Sequence, residues 1–200
     1  VVCQPDKPTG RKKTPMPPPA KVWAEERGIT VQQPKKLNDG EFEAWLREQQ
    51  PDVCVLVAYG RILKQNILDV PTHGFINVHP SLLPLYRGPA PINSAVRNGD
   101  SDTGVTIIQL DSGTDTGDIA LQESVSLPEN ATTEMMTDIL SNLGAVLTSR
   151  VLAMIASGEA VFVKQDDSLA THTRMITKAD GALNWEQRAE DLHNQIRASV

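Results

Sequence analysis

Phe75-Ile76-Asn77-Val78-His79-Pro80-Ser81-Leu82-Leu83-Pro84, FINVHPSLLP, reads as an apolar strand that ends in two polar side chains and runs into a proline-bounded turn. Residues two apart on a strand face the same side, so Asn77 and His79 present an amide and an imidazole together. Pro80 cannot donate to a sheet ladder and Pro84 closes the turn, so the strand stops here and the chain becomes irregular. An uncharged donor and a titratable group are thereby expected at a sheet edge.

Working outward, short β-branched runs bounded by Pro, Gly or Asp recur at VVC (1–3), ITVQ (29–32), VCVLVAY (53–59) and GVTIIQL (104–110). Such runs suit buried parallel strands. Helix-length segments lie between them: AKVWAEER before Gly28, GEFEAWLREQQ before Pro51 and PINSAVRN before Gly99. Alternating strands and helices predict an α/β fold with a mostly parallel sheet and right-handed crossovers. The longest helix is expected from about Ala131 to Ser157, with Met136, Leu140, Leu143, Leu147, Val151 and Met154 in one stripe and Gly158 as its stop.

A second polar cluster follows the run Val105–Leu110, in LDSGTDTGDI (110–119), which carries Asp111, Asp115 and Asp118 among glycines. In a parallel sheet the two strands would share a carboxyl edge, where open α/β sheets bind ligands, and a carboxylate would meet Asn77 and His79 there. Asp115-Thr116-Gly117 also matches the aspartic-protease triplet, but it occurs once, with no second copy to share a proton. A calcium loop is excluded because Thr116 fills the glycine position and Gln122 replaces the closing glutamate. No His/Cys spacing suggests zinc, and no glycine-rich phosphate loop is present, so neither a metal nor a dinucleotide is expected.

The 200 residues suffice for one good core and part of a second domain. Hydrophobic content of 40% is that of an ordinary globular protein, and no uninterrupted apolar run approaches the roughly 20 residues of a spanning helix. The expected setting is cytoplasmic, off the membrane, with Cys3 and Cys54 reduced and buried as small hydrophobes. A formal charge of −6 argues against a protein coated in nucleic acid, yet Lys7, Arg11, Lys12, Lys13 and Lys21 oppose only Asp6 in the first 21 positions. An acidic body with one basic loop suggests localised contact with an anion.

NVHPSLLP (77–84), YRG (86–88), APIN (90–93), GVTI (104–107) and DTGDI (115–119) together resemble the folate-dependent formyltransferases. QPDKPTGRKK (4–13), MPPPAK (16–21) and AYGRIL (58–63) narrow the resemblance to the branch that formylates initiator methionyl-tRNA. The resemblance is collinear over nearly the whole chain. It implies a Rossmann-like formyltransferase domain at 1–158, without the strand and helix that open the family's domain, a linker at 159–171, and at 172–200 the start of a smaller β-barrel domain. A fragment of a longer, monomeric protein is expected.

The same resemblance assigns catalysis to Asn77, His79 and Asp115, and contact with tetrahydrofolate to Ser81, Leu82, Leu83 and Pro84. It sets Tyr59–Leu63 beside the pterin. Arg11, with Lys12 and Lys13, would contact the acceptor arm of tRNA, the lysines through phosphate. The implied formyl donor is 10-formyltetrahydrofolate and the implied acceptor initiator Met-tRNA. Acceptors other than Met-tRNA and a non-catalytic tRNA-binding fragment are the alternatives. Leu85, Pro89 and Thr114 depart from the usual residues of the family, yet none removes a catalytic group.

Overall fold

The structure, a computed structural model, describes residues 1–9 and 13–200 and divides into two compact units. The first unit comprises Val1–Asp52 with Tyr59–Thr72, and the second comprises Val53–Ala58 with His73–Val200.

In the first unit, β1 (Lys7–Thr9) and β2 (Thr14–Met16) pair antiparallel where the sequence suggested a basic loop. Three helices follow: α1 (Pro19–Glu25), α2 (Glu41–Glu48) and the single turn α3 (Gln65–Leu68). Lys21 on α1 reaches back to Asp6 at 3.0 Å, and Gln33 donates to the same carboxylate at 2.7 Å. Those two partners hold the Asp6 carboxyl below the usual carboxylate range. The expected strands VVC and ITVQ shrink to one parallel bridge, Val2 with Gln32, because a strand persists only as far as its hydrogen-bonded neighbour does. Cys3, Ala24, Phe42, Leu46 and Ile67 are buried here.

In the second unit a four-stranded sheet runs in the order β3 (Cys54–Leu56), β4 (Phe75–His79), β5 (Asp102–Gln109), β6 (Ile119–Ser126). The α/β class holds, but the strand directions correct the expectation of a mostly parallel sheet. β3 and β4 are parallel, whereas β4 with β5 and β5 with β6 are antiparallel. The cause is the connection after β4. The chain leaves at His79, turns through Ser81–Pro84, and makes only the eight-residue α4 (Pro91–Asn98). It then re-enters the sheet beside the end it left, with Thr106 opposite His79.

α5 (Thr133–Ser157) packs its stripe into the core with the sheet; Thr132 caps it by accepting from Met135 N at 3.2 Å, and Gly158 ends it. Met136, Leu140, Leu147 and Val151 are buried as expected, while Gly144 and Ile155 take the places read for Leu143 and Met154. By length and mean hydropathy of 1.6, α5 passes for a membrane-spanning helix, but the burial of this stripe with Ile76, Val105 and Ile107 is that of a core helix. Residues 159–200 belong to this same unit, and α6 (Ala189–Arg197) joins α4 and α5 through Asn93 to Ala198 O at 2.8 Å and Arg197 to Ala131 O at 2.9 Å. Among the described residues after Ser126, β pairing is confined to isolated bridges.

Candidate active site

β4 sets Asn77 and His79 on one face of a central strand, both buried at 7% and 4% exposure. Among the described residues the Asn77 amide makes no hydrogen bond and is not sealed from solvent. A buried amide left unspent in this way is available to a ligand. His79 is held at Nε2, which donates to Tyr86 O at 2.9 Å because a carbonyl can only accept. In the neutral ring that bond leaves Nδ1 as the bare nitrogen, and Nδ1 stands 3.6 Å from Asp115 Oδ2. The proton that charges this imidazole therefore enters and leaves beside Asp115.

Asp115 reaches His79 by a route the sequence does not suggest. β5 runs antiparallel to β4, so its end lies beside the start of β4, with Leu110 N donating to Phe75 O at 2.8 Å. The β5–β6 loop must then fold back along β4 to meet the histidine. Asp111 braces that loop, accepting from Gly113 N at 3.0 Å and from Thr116 Oγ1 at 2.7 Å. Gly117 lies so close to β5 that an added Cβ would stand 1.7 Å from Gln109 O. Asp115 itself sits at φ +54, a left-handed conformation that aspartate tolerates better than most residues. Its carboxylate accepts from Gly88 N at 2.7 Å. Gly88, at φ +104, has no room for a side chain, because a Cβ would meet Thr173 O at 2.8 Å.

The Ser81–Pro84 segment is a braced turn. Ser81 is fully buried and its hydroxyl is spent on Leu85 O at 2.6 Å, so that hydroxyl does not face a ligand. Leu83 is buried at 3% exposure, while Leu82 and Pro84 keep partial exposure. Thr106 ties the turn to the sheet, donating to Ser81 O at 2.6 Å and accepting from Leu83 N at 3.1 Å and Gln122 Nε2 at 2.8 Å. Tyr59–Leu63 fall in the first unit, where Arg61 donates to Pro34 O and Lys35 O, each at 2.8 Å. Arg11 and Lys12 lie outside the described residues, and Lys13 is exposed at φ +49 immediately before β2.

The structure thus brings Asn77, His79 and Asp115 together. It adds Tyr86, Gly88, Arg87 and Gln165, of which sequence reading singled out the first three only as part of a motif and Gln165 not at all.

The formyl transferase family model matches residues 1–152. A methionyl-tRNA formyltransferase of Chloroflexus aggregans is 48% identical over 99% of this chain and 64% of its own length. That of Geobacter metallireducens is 45% identical over 98% of this chain and 63% of its own length. The chain therefore spans a little under two thirds of these relatives. Among solved structures, a 4-N formyltransferase from Francisella tularensis superposes with a TM-score of 0.75 at 17% identity, covering 98% of this chain and 75% of that one. HypX from Aquifex aeolicus, solved with tetrahydrofolic acid, superposes with a TM-score of 0.72 at 17% identity, covering 88% and 30%. At such identities the likeness is one of fold. The match over residues 1–152, with relatives of 45% and 48% identity along the same chain, places the protein in the formyl transferase family.

Proposed function

We propose that the protein transfers the formyl group of 10-formyltetrahydrofolate to the α-amine of methionyl initiator tRNA. The observation that carries this reading is the unspent Asn77 amide beside the His79–Asp115 pair, on a chain whose relatives of 45% and 48% identity are methionyl-tRNA formyltransferases.

The folate fits the residues present: Asn77 offers a free donor, and Leu82 offers half-exposed apolar surface on the adjoining turn. When bound, the folate supplies the formyl carbon as an electrophile on N10. The reaction forms a bond from that carbon to the acceptor nitrogen and breaks the bond to N10, with no change of oxidation state. The acceptor nitrogen gives up one proton and N10 takes one. Asn77 donates to the carbonyl oxygen as it gains negative charge, while His79, held at Nε2 by Tyr86 O, presents Nδ1 beside Asp115 for proton exchange. Asp115, held by Gly88 N, stands beside His79 Nδ1 and relays protons through water. No covalent bond to the protein is needed. Arg11, Lys12 and Lys13, the basic run in the N-terminal sequence, meet the tRNA acceptor arm, with phosphate contacts that add affinity without reading sequence.

The test is transfer of labelled formyl from 10-formyltetrahydrofolate by the full-length protein, with Met-tRNA, glycinamide ribonucleotide, an amino-sugar nucleotide and water competing as acceptors. Label on Met-tRNA is expected. Label on another amine, or release as formate, overturns the acceptor assignment.

A further inference from the structure

Gln165 is far in sequence from every residue given a chemical role above, yet it stands at the centre of the most buried polar network around Asp115. It is 6% exposed, and the Arg87 beside it is 3% exposed. Gln165 Oε1 accepts from Arg87 Nε at 3.1 Å and Nη2 at 2.7 Å. Gln165 Nε2 donates to Asp115 O and to Gly117 O, each at 2.8 Å. The orientation of the amide is forced, because a guanidinium only donates and the two carbonyls only accept. Arg87 is completed by Asp167 at 2.7 Å.

The strap that carries Gln165 is itself tied down at both ends. Val163 exchanges backbone hydrogen bonds with Ile119 at 2.8 and 2.9 Å. Arg87 N donates to Thr171 O at 2.9 Å, and Thr173 N donates to Arg87 O at 2.7 Å. Asp115 is therefore gripped twice by neighbouring residues of one segment: Gly88 N holds its carboxylate, and Arg87 holds its backbone carbonyl through Gln165.

We propose that Gln165 is a positioning residue, which fixes the left-handed Asp115 loop so that the carboxylate stays beside His79 Nδ1. This rests on the formyl-transfer reading for its kinetic consequence, though not for its geometry. Glutamine is the side chain this place requires. Glutamate would satisfy Arg87 but turn lone pairs towards two carbonyl oxygens. A lysine would satisfy the carbonyls but set its cation against Arg87. The ionisable groups around the pair are Asp115 on the loop and, beyond Gln165, Arg87 and Asp167.

The experiment is Gln165→Glu in the full-length protein, read by NMR and by kinetics. The Gly88 amide proton, hydrogen-bonded to the Asp115 carboxylate, is the direct reporter of loop position. It is expected to move upfield in the variant, while kcat falls about 10²-fold, the cost of a misplaced group, and KM for folate stays within about twofold. In an Asp115→Ala background the same substitution is expected to cost nothing further. A glutamine serving only to accept from Arg87 predicts instead an unmoved Gly88 resonance and near-normal kcat, because glutamate accepts there too, and that result overturns the proposal. Losses that multiply with those of Asp115→Ala overturn it too. If Gln165→Glu does not fold, Gln165→Met, which has the length and none of the four hydrogen bonds, is read by the same Gly88 resonance and by its non-additivity with Asp115→Ala. A wild-type protein that transfers no formyl group refutes the reaction proposed above, whereas the Gly88 resonance still decides the role of Gln165.

Discussion

Thr106 shows how one buried hydroxyl can hold a turn in register. With no exposure, it fills all three of its hydrogen-bonding positions on Ser81 O, Leu83 N and Gln122 Nε2. Thr106→Val keeps the shape and strands the buried Ser81 O and Leu83 N, while the exposed Gln122 keeps Leu83 O and solvent, so the cost is about 1–3 kcal/mol for an unsatisfied buried group. A lower urea midpoint is the expected result, and an unchanged midpoint would contradict it. Cys54 sets a different residue-level expectation. Burial pushes its thiol up to about 11 from 9.0, so the folded chain holds that proton more tightly than the unfolded one. Its contribution to stability is complete below about pH 9 and is lost as the pH rises through about 11. Urea denaturation at pH 8 and 10.5 should show the decline, and Cys54→Ala should lessen it.

Among the elements, the β5–β6 loop has the most to lose from a small change. Gly117→Ala drives a methyl into the Gln109 carbonyl, a backbone atom that cannot swing aside. Overpacking of this kind costs about 1–3 kcal/mol. Because Asp115 lies two residues away, a lower Tm should come with a lower kcat, and a variant that melts lower while keeping full kcat would dissociate the loop from the chemistry. This loop also marks how far the sequence could be read. The strand and turn at 75–84, the helix α4 before Gly99, and the pairing of Asn77 with His79 on one face were legible, because strand periodicity, prolines and glycines are local signals, whereas Asp115 joined them through the family resemblance and not through the strand directions expected. The buried run Val105–Leu110 looks the same in either strand direction, so the antiparallel turn was hidden. β6 was missed because Gln122, Glu123 and Ser124 at its centre are exposed and give an edge strand no apolar pattern. Gln165 could not be found at all, since its partners lie 48 to 78 residues away.

At the scale of the molecule, Asn77, His79 and Asp115 all belong to the second unit, whereas the basic N-terminal stretch proposed for tRNA belongs to the first. The core of the second unit, from Ile76 and Ile107 to Leu140 and Val151, backs the very strand that displays Asn77 and His79. Rigidity there fixes the donor geometry before any ligand arrives, which is where preorganised stabilisation gets its effect. Formyl transfer through the Asn77 amide is the central claim, and its most direct test is the single-turnover rate of Asn77→Ala in the full-length protein, with folate affinity measured alongside. The account predicts a rate about 10²–10³-fold slower at near-normal folate affinity. A variant that binds folate normally and transfers formyl at the wild-type rate would contradict it.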